Sequence, residues 1–358
     1  MPVYRQNRLA RLREALDKTD ADALLVTSIH NVFYLTGFTG SSGFVLVTPE
    51  RAVFITDFRY KSQSADEVKG YEVVIQKGRW TEDVAAVVRE SGIKRLGFEG
   101  RDMAFDTHAA LAKKLDGVEL VSLKDVVEGL RIIKDEDEVA RITEAIRRAE
   151  SGYTENLSNI VPGVVERDAS LGMEFRVRTA GSLKMAFDTI IASGYRAALP
   201  HGIASEKVME AGETVVIDFG AEAHGYQCDM TRSGVIGGPD EKQADIYSIV
   251  LDAQARAIAA VKPGVPCKDV DAAARDYIAS KGYGDYFGHG LGHGVGVEVH
   301  EAPGVSPMSE DVLAPGMVLT IEPGIYIPGW GGFRIEDMVL VTEDGCRVMT
   351  GLPKGNRF

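Results

Sequence analysis

The run Thr214-Val215-Val216-Ile217-Asp218-Phe219-Gly220 places one carboxylate near the end of an apolar, β-branched stretch. That is the pattern of a buried strand. A second strand begins at Cys228-Asp229-Met230-Thr231-Arg232, and residues 221–226 between them carry the turn. Opposed positions in an antiparallel hairpin add to a constant. Asp218 and Asp229 are symmetric about the point between Ala223 and His224, so the two aspartates are expected to face each other at about 5 Å.

The same construction recurs downstream. Residues 317–322 and 334–341 read as strands around Pro328-Gly329-Trp330-Gly331-Gly332, with Glu322 and Glu336 symmetric about Gly329. Four carboxylates converging in a core cannot all stay ionised, because each like charge and each lost water raises the next pKa. Cations resolve that conflict, so the two pairs point to a two-metal hydrolytic centre.

Between the pairs lies Gly288-His289-Gly290-Leu291-Gly292-His293-Gly294-Val295-Gly296, followed by His300-Glu301. Glycine at alternate positions lets backbone approach a ligand closely. The spacing excludes the helical zinc-protease motif, since His300-Glu301 has no second histidine three residues on.

At these residues the chain resembles the pita-bread metallopeptidases, specifically the proline peptidases: Xaa-Pro aminopeptidase and Xaa-Pro dipeptidase (prolidase). The resemblance rests on residues 187–194, Leu199-Pro200-His201-Gly202, residues 217–220, Asp229-Met230-Thr231-Arg232, the histidine-glycine stretch, Ile321-Glu322-Pro323-Gly324-Ile325-Tyr326 and Arg334-Ile335-Glu336-Asp337, in the family's order. It implies an α/β N-terminal domain with a mixed sheet, then an α+β pita-bread catalytic domain of the creatinase/aminopeptidase type. It makes Asp218 the ligand of one metal, His293 and Glu322 ligands of the other, and Asp229 and Glu336 bridges. Such a hard ligand set favours Mn²⁺, with Co²⁺ or Zn²⁺ next.

The resemblance further implies that Glu322 assists proton transfer, that His201 and His300 donate hydrogen bonds to the tetrahedral intermediate or leaving group, and that His289 holds the substrate. Arg334 shares a strand face with Glu336 and is expected to orient that carboxylate. Tyr326 either lines the proline pocket or packs. The expected substrate is a peptide with proline at the second position, and the expected assembly is a homodimer.

A dipeptidase must recognise a free carboxylate, most naturally with arginine. The stretch His300-Glu301-Ala302-Pro303-Gly304-Val305 lacks one, which favours the aminopeptidase over the dipeptidase. Methionine aminopeptidase typically lacks such an N-terminal domain. Relatives that have lost their metals, or that act as creatinase-like hydrolases, differ at ligand positions that are all filled here.

With 358 residues, 45% of them hydrophobic and 26% charged, the chain has the composition of a two-domain soluble protein. A formal charge of -13 argues against nucleic acid or an anionic membrane as partner. Three scattered cysteines and no apolar signal core in residues 1–8 suggest a cytoplasmic location. Cys228 is expected to pack on the face opposite Asp229.

The domain boundary is expected near 126, giving domains 1–125 and 126–358. A long amphipathic helix should open after Asp135 as its cap and run to about 159, with further helices near 166–179, 240–261 and 268–281. Helix pairs followed by hairpins occur twice, as in a pseudo-duplication. Residues 34–43 form a glycine-rich turn, which the resemblance places near a neighbouring subunit's active site. Asp57, Arg59 and Tyr60 have no assigned role, and His30, His108 and His224 are expected to be solvated.

Overall fold

Short β-branched runs alternating with amphipathic stretches give the first part of the chain its sheet and helices. A computed structural model describes residues 3–358, with side chains from Asn7 onward. The chain divides into two compact units, one ending at Arg131 and the other spanning Ile132–Phe358. The helix Val126–Arg131 belongs to the first unit, since Val127 and Leu130 are buried there and the Arg131 guanidinium donates to Asn31 Oδ1 at 2.8 Å.

The first unit holds a six-stranded sheet in the order Glu72–Ile75, Ala52–Thr56, Gly43–Val47, Ala23–Val26, Arg95–Glu99, Glu119–Leu123. Ala23–Val26 pairs antiparallel with Gly43–Val47 but parallel with Arg95–Glu99, so the sheet is mixed. The helix Ile29–Thr36 stops at Gly37, whose φ of 79° supplies the left-handed cap. Residues 34–43 are thus a helix end and a turn. Asp57 and Arg59 pair with each other at 2.8 Å, and Tyr60 hydroxyl meets Ser41 Oγ at 2.6 Å. His224 is exposed, whereas His30 and His108 are half-buried, and His108 packs on the Phe98 ring.

In the second unit, Asp135 and Glu138 form a capping box that starts the helix Glu136–Asn156. A short 3-10 turn, Leu157–Asn159, finishes it. The other helices are Glu166–Thr179, Glu241–Ala260 and Cys267–Ser280. Each helix pair precedes a hairpin, and Ile246, Val250 and Ala257 of the second pair share a core with Leu319, Phe333 and Val339.

The strands form a three-stranded sheet, Met230–Val235, Thr214–Phe219, Ile190–Ser193, and a five-stranded sheet around Gly292–Gly294, Val318–Ile321 and Asp337–Val341. Hydrogen bonds from Glu336 N–H to Thr231 O (3.1 Å) and from Arg334 N–H to Ser233 Oγ (3.0 Å) join the two hairpins. Cys228 is fully buried, and its Sγ accepts from Ala221 N–H at 3.2 Å. Among the described residues, no helix is long and apolar enough to cross a membrane.

Two histidine-stretch glycines differ sharply in their surroundings. A Cβ at Gly292 would collide with the Thr320 carbonyl, while one at Gly288 would meet nothing within 4 Å. Gly292→Ala should therefore lower the stability of the metal-free protein by about 1–3 kcal/mol. Gly288→Ala should leave it nearly unchanged, and denaturant melts of the two variants provide the check.

Candidate active site

The first hairpin is set by its turn. His224 and Gly225 both have positive φ, 52° and 83°, as a two-residue type I′ turn requires. Tyr226 therefore opposes Ala223, and Thr231, not Asp229, opposes Asp218. The expected direct opposition of the aspartates is corrected to a diagonal one: Asp229 lies two residues nearer the turn than the partner of Asp218. Residues two apart on a strand share a face, so both carboxylates still point the same way.

The second hairpin keeps the expected symmetry about Gly329. Ile321 opposes Asp337, and Gly324 opposes Arg334. Between these ladders the strands part, and Glu322 and Glu336 sit in the gap. Glu322 N–H turns to Leu291 O at 2.8 Å, as Glu336 N–H does to Thr231 O. As a non-hydrogen-bonded pair of that register the glutamates send their N–H groups outward and carry their carboxylates to the aspartates.

His293 completes the cluster. Its Nε2 lies 3.5 Å from both Asp229 Oδ2 and Glu322 Oε1, while Nδ1 is 3.0 Å from Gly294 O. A carbonyl only accepts, so Nδ1 carries the proton and Nε2 keeps its lone pair. Ligand atoms of Asp218, Asp229 and Glu336 lie within 4.8 Å of one another, as do those of His293, Glu322 and Glu336. Asp218 Oδ1, Asp229 Oδ1 and Glu336 Oε1 are buried without a hydrogen-bond partner. Buried polar atoms are rarely left so, and this donor set fits a pair of hard divalent cations.

The electrostatics carry the same signature. Burial pushes the Glu322 carboxyl up to about 8. Asp229 and Glu336 are also raised well above the carboxylate range, by burial first and then by neighbouring carboxylates. Burial acts oppositely on imidazole, holding His289 and His293 down at about 4 and lowering His300.

Arg334 reaches further than its strand face suggests. Its Nη2 grips Asp218 Oδ2 at 2.6 Å and its Nε donates to Thr231 Oγ1 at 3.0 Å. Thr231 in turn donates to Glu336 Oε2 at 2.8 Å, so the arginine orients Asp218 directly and Glu336 only through a hydroxyl. Nη1 donates to Tyr326 hydroxyl at 2.9 Å, and that hydroxyl lies 2.9 Å from His289 Nε2. With His289 Nδ1 committed to Gly290 O at 2.7 Å, Nε2 accepts the tyrosine proton.

Tyr326 is buried behind His289 and Arg334 and is not among the residues lining the cavity. That cavity, about 420 Å³, exposes the five acidic and imidazole groups together with His201, His289, His300 and Arg334. Phe187, Ile190, Pro200 and Ile203 supply an apolar wall. The His300 and His293 rings lie 4.2 Å apart.

Two threonines escaped the sequence reading. Thr231 is described above, and Thr320 Oγ1 accepts from His293 N–H at 3.1 Å while lying 3.4 Å from Glu322 Oε1. Each stands two residues from a carboxylate of its own strand. That same-face spacing was the available signal.

Comparison with known proteins agrees with this geometry. Residues 140–343 match the model of metallopeptidase family M24, and residues 8–133 match the creatinase/prolidase N-terminal domain. The chain is 41% identical to the Xaa-Pro dipeptidase of Pyrococcus horikoshii over 345 residues, 96% of each protein. Among solved structures it is similar to an Xaa-Pro dipeptidase from Bacillus anthracis, with TM-score 0.96, 46% identity and coverage of 98% of this chain and 99% of the other. An X-Pro aminopeptidase from Thermotoga maritima MSB8 gives TM-score 0.89, 38% identity and coverage of 96% and 99%. The chain belongs to metallopeptidase family M24 and carries that family's creatinase/prolidase domain at its N-terminal end.

Proposed function

We propose that this metallopeptidase removes the first residue from peptides whose second residue is proline, as an Xaa-Pro aminopeptidase with two divalent cations, Mn²⁺ preferred. The observation that carries the metal site is the set of three buried, partnerless carboxylate oxygens converging beside His293. Asp218 would hold one cation, His293 and Glu322 the other, and Asp229 and Glu336 would be shared between them. The cations supply water activated at neutral pH and polarisation of the scissile carbonyl.

The protein's own groups do the remaining work. Glu322 receives the proton of the attacking water and returns it to the leaving secondary-amine nitrogen of proline. His201 and His300 line the cavity and donate to the oxygen that gains charge or to the leaving group. His289 has both ring nitrogens engaged, so it holds the substrate by its ring rather than by a hydrogen bond. Arg334 fixes Asp218, and Tyr326 fixes His289.

Arg334 is the only lysine or arginine among the described residues lining the cavity, and Asp218 already occupies it at 2.6 Å. A free substrate carboxylate two residues from the amino end would find no uncommitted guanidinium or ammonium there. That supports the aminopeptidase. The high identity to the Bacillus anthracis Xaa-Pro dipeptidase favours the second reading, a dipeptidase.

Comparing hydrolysis of a Xaa-Pro dipeptide with that of a Xaa-Pro-Yaa tripeptide decides between them. We expect higher kcat/KM for the tripeptide; strong preference for the dipeptide reverses the assignment.

Metal-free protein titrated with Mn²⁺ should gain activity as two ions bind. Asp229→Ala should lose more than the roughly 10–100-fold typical of removing an outer partner of a metal ligand. Full activity of that variant without metal would sink the scheme.

Metal uptake should also depend on pH in a fixed direction. The folded Glu322 carboxyl, pushed up to about 8, is protonated below that pH and must release its proton to bind a cation. Apparent affinity should therefore tighten as pH rises towards 8, with protons released during calorimetric titration at pH 7. His293, held at about 4, is already neutral and adds nothing to this slope.

A further inference from the structure

Helix Glu241–Ala260 buries an apolar face, including Val250, Ala253 and Ala257, yet Gln254 in the middle of that face is completely buried as well. Burying an amide in such a place is unfavourable unless its hydrogen bonds are made. Its two N–H groups find their acceptors at one place. Gln254 Nε2 donates to Ile321 O and Ile335 O, each at 3.0 Å. These carbonyls belong to the residues immediately before Glu322 and Glu336.

The need for this donor follows from the sequence. Ile335 N–H reaches Pro323 O at 3.4 Å, which sets residues 323 and 335 opposite each other. The reciprocal ladder bond would run from the N–H of residue 323 to Ile335 O. Proline has no N–H, so Ile335 O is left without its donor where the strands part.

We infer that Gln254 is a positioning residue for the second pair of carboxylates: its amide replaces the ladder bond that Pro323 cannot make and keeps Glu322 and Glu336 turned to one face across the gap. The other end of the amide is fixed too. Gln254 Oε1 accepts from Lys354 Nζ at 2.7 Å, and the same ammonium pairs with Asp337, the residue after Glu336. Arg232 holds Asp337 Oδ1 at 2.8 Å and Glu336 O at 2.6 Å. The segment carrying Lys354 thereby becomes part of the underside of the metal centre.

This inference rests on Glu322 and Glu336 binding metal, and the test separates the two ideas. Wild type, Gln254→Met and Lys354→Met are prepared metal-free and compared by thermal melting, by calorimetric titration with Mn²⁺, and by the visible absorption of the Co²⁺-loaded protein. We expect Gln254→Met to bind the more weakly held ion about tenfold or more less tightly, with an altered Co²⁺ spectrum. In the loaded enzyme kcat should fall while KM moves within about twofold.

Wild-type affinity and spectrum in Gln254→Met, even with a lowered melting temperature, would overturn the inference and leave the metal site intact. Failure of the wild type itself to bind two ions would overturn the metal site and the inference together. If Gln254→Met does not fold, Lys354→Met decides: a smaller loss of affinity in the same direction supports the inference, and unchanged binding overturns it.

Discussion

Mutual repulsion among Asp218, Asp229, Glu322 and Glu336 is the constraint on which the second unit is built. Burial and proximity raise three of these carboxyls above their ordinary range, so the folded chain holds them together against their own electrostatics. Without cations the cluster is a site of protons and partnerless oxygens. With cations the same crowding becomes affinity, because every neighbour that disfavoured a negative charge gains from a shared positive one.

The chain meets that constraint by interrupting its own ladders. In the first hairpin the His224-Gly225 turn sets a register in which Asp229 lies diagonal to Asp218. In the second, Glu322 and Glu336 form a non-hydrogen-bonded pair and send their N–H groups outward to Leu291 O and Thr231 O. Three of the four carboxylates are tied by a neighbouring side chain: Asp218 by Arg334, Glu336 by Thr231, Glu322 by Thr320. Rigidity of this sort matters because an active geometry must be held by groups that are themselves held.

What could be read from sequence follows from how local each feature is. The capping box at Asp135 and the helices through Thr179, Ala260 and Ser280 were legible because periodicity and caps are local. The second hairpin was legible because its turn is centred on Gly329 and its alignment runs through the gap unchanged. The first was misaligned by two residues, because its turn is centred between His224 and Gly225, one position later than expected, and His224-Gly225 is a weaker turn signal than Asn-Gly. Edge strands Glu72–Ile75 and Glu119–Leu123 are partly exposed and show no clear alternation. Arg334 was assigned to Glu336 by strand parity, but a long guanidinium crosses to Asp218, and only the assembled sheets reveal that reach.

His289 and His293 add no positive charge of their own to the carboxylate cluster. His289 and His293 each commit Nδ1 to the carbonyl of the glycine that follows, and burial holds both neutral at pH 7. A protonated ring at either place would repel a divalent ion and lose the lone pair that His293 offers. The two His-Gly dipeptides are therefore one device used twice, with different outcomes. In His293 the unprotonated Nε2 faces the Asp229 and Glu322 carboxylates. In His289 it accepts from Tyr326, whose oxygen accepts from Arg334, which grips Asp218. His289 and Asp218, which both line the cavity, are thus the ends of a single hydrogen-bonded chain.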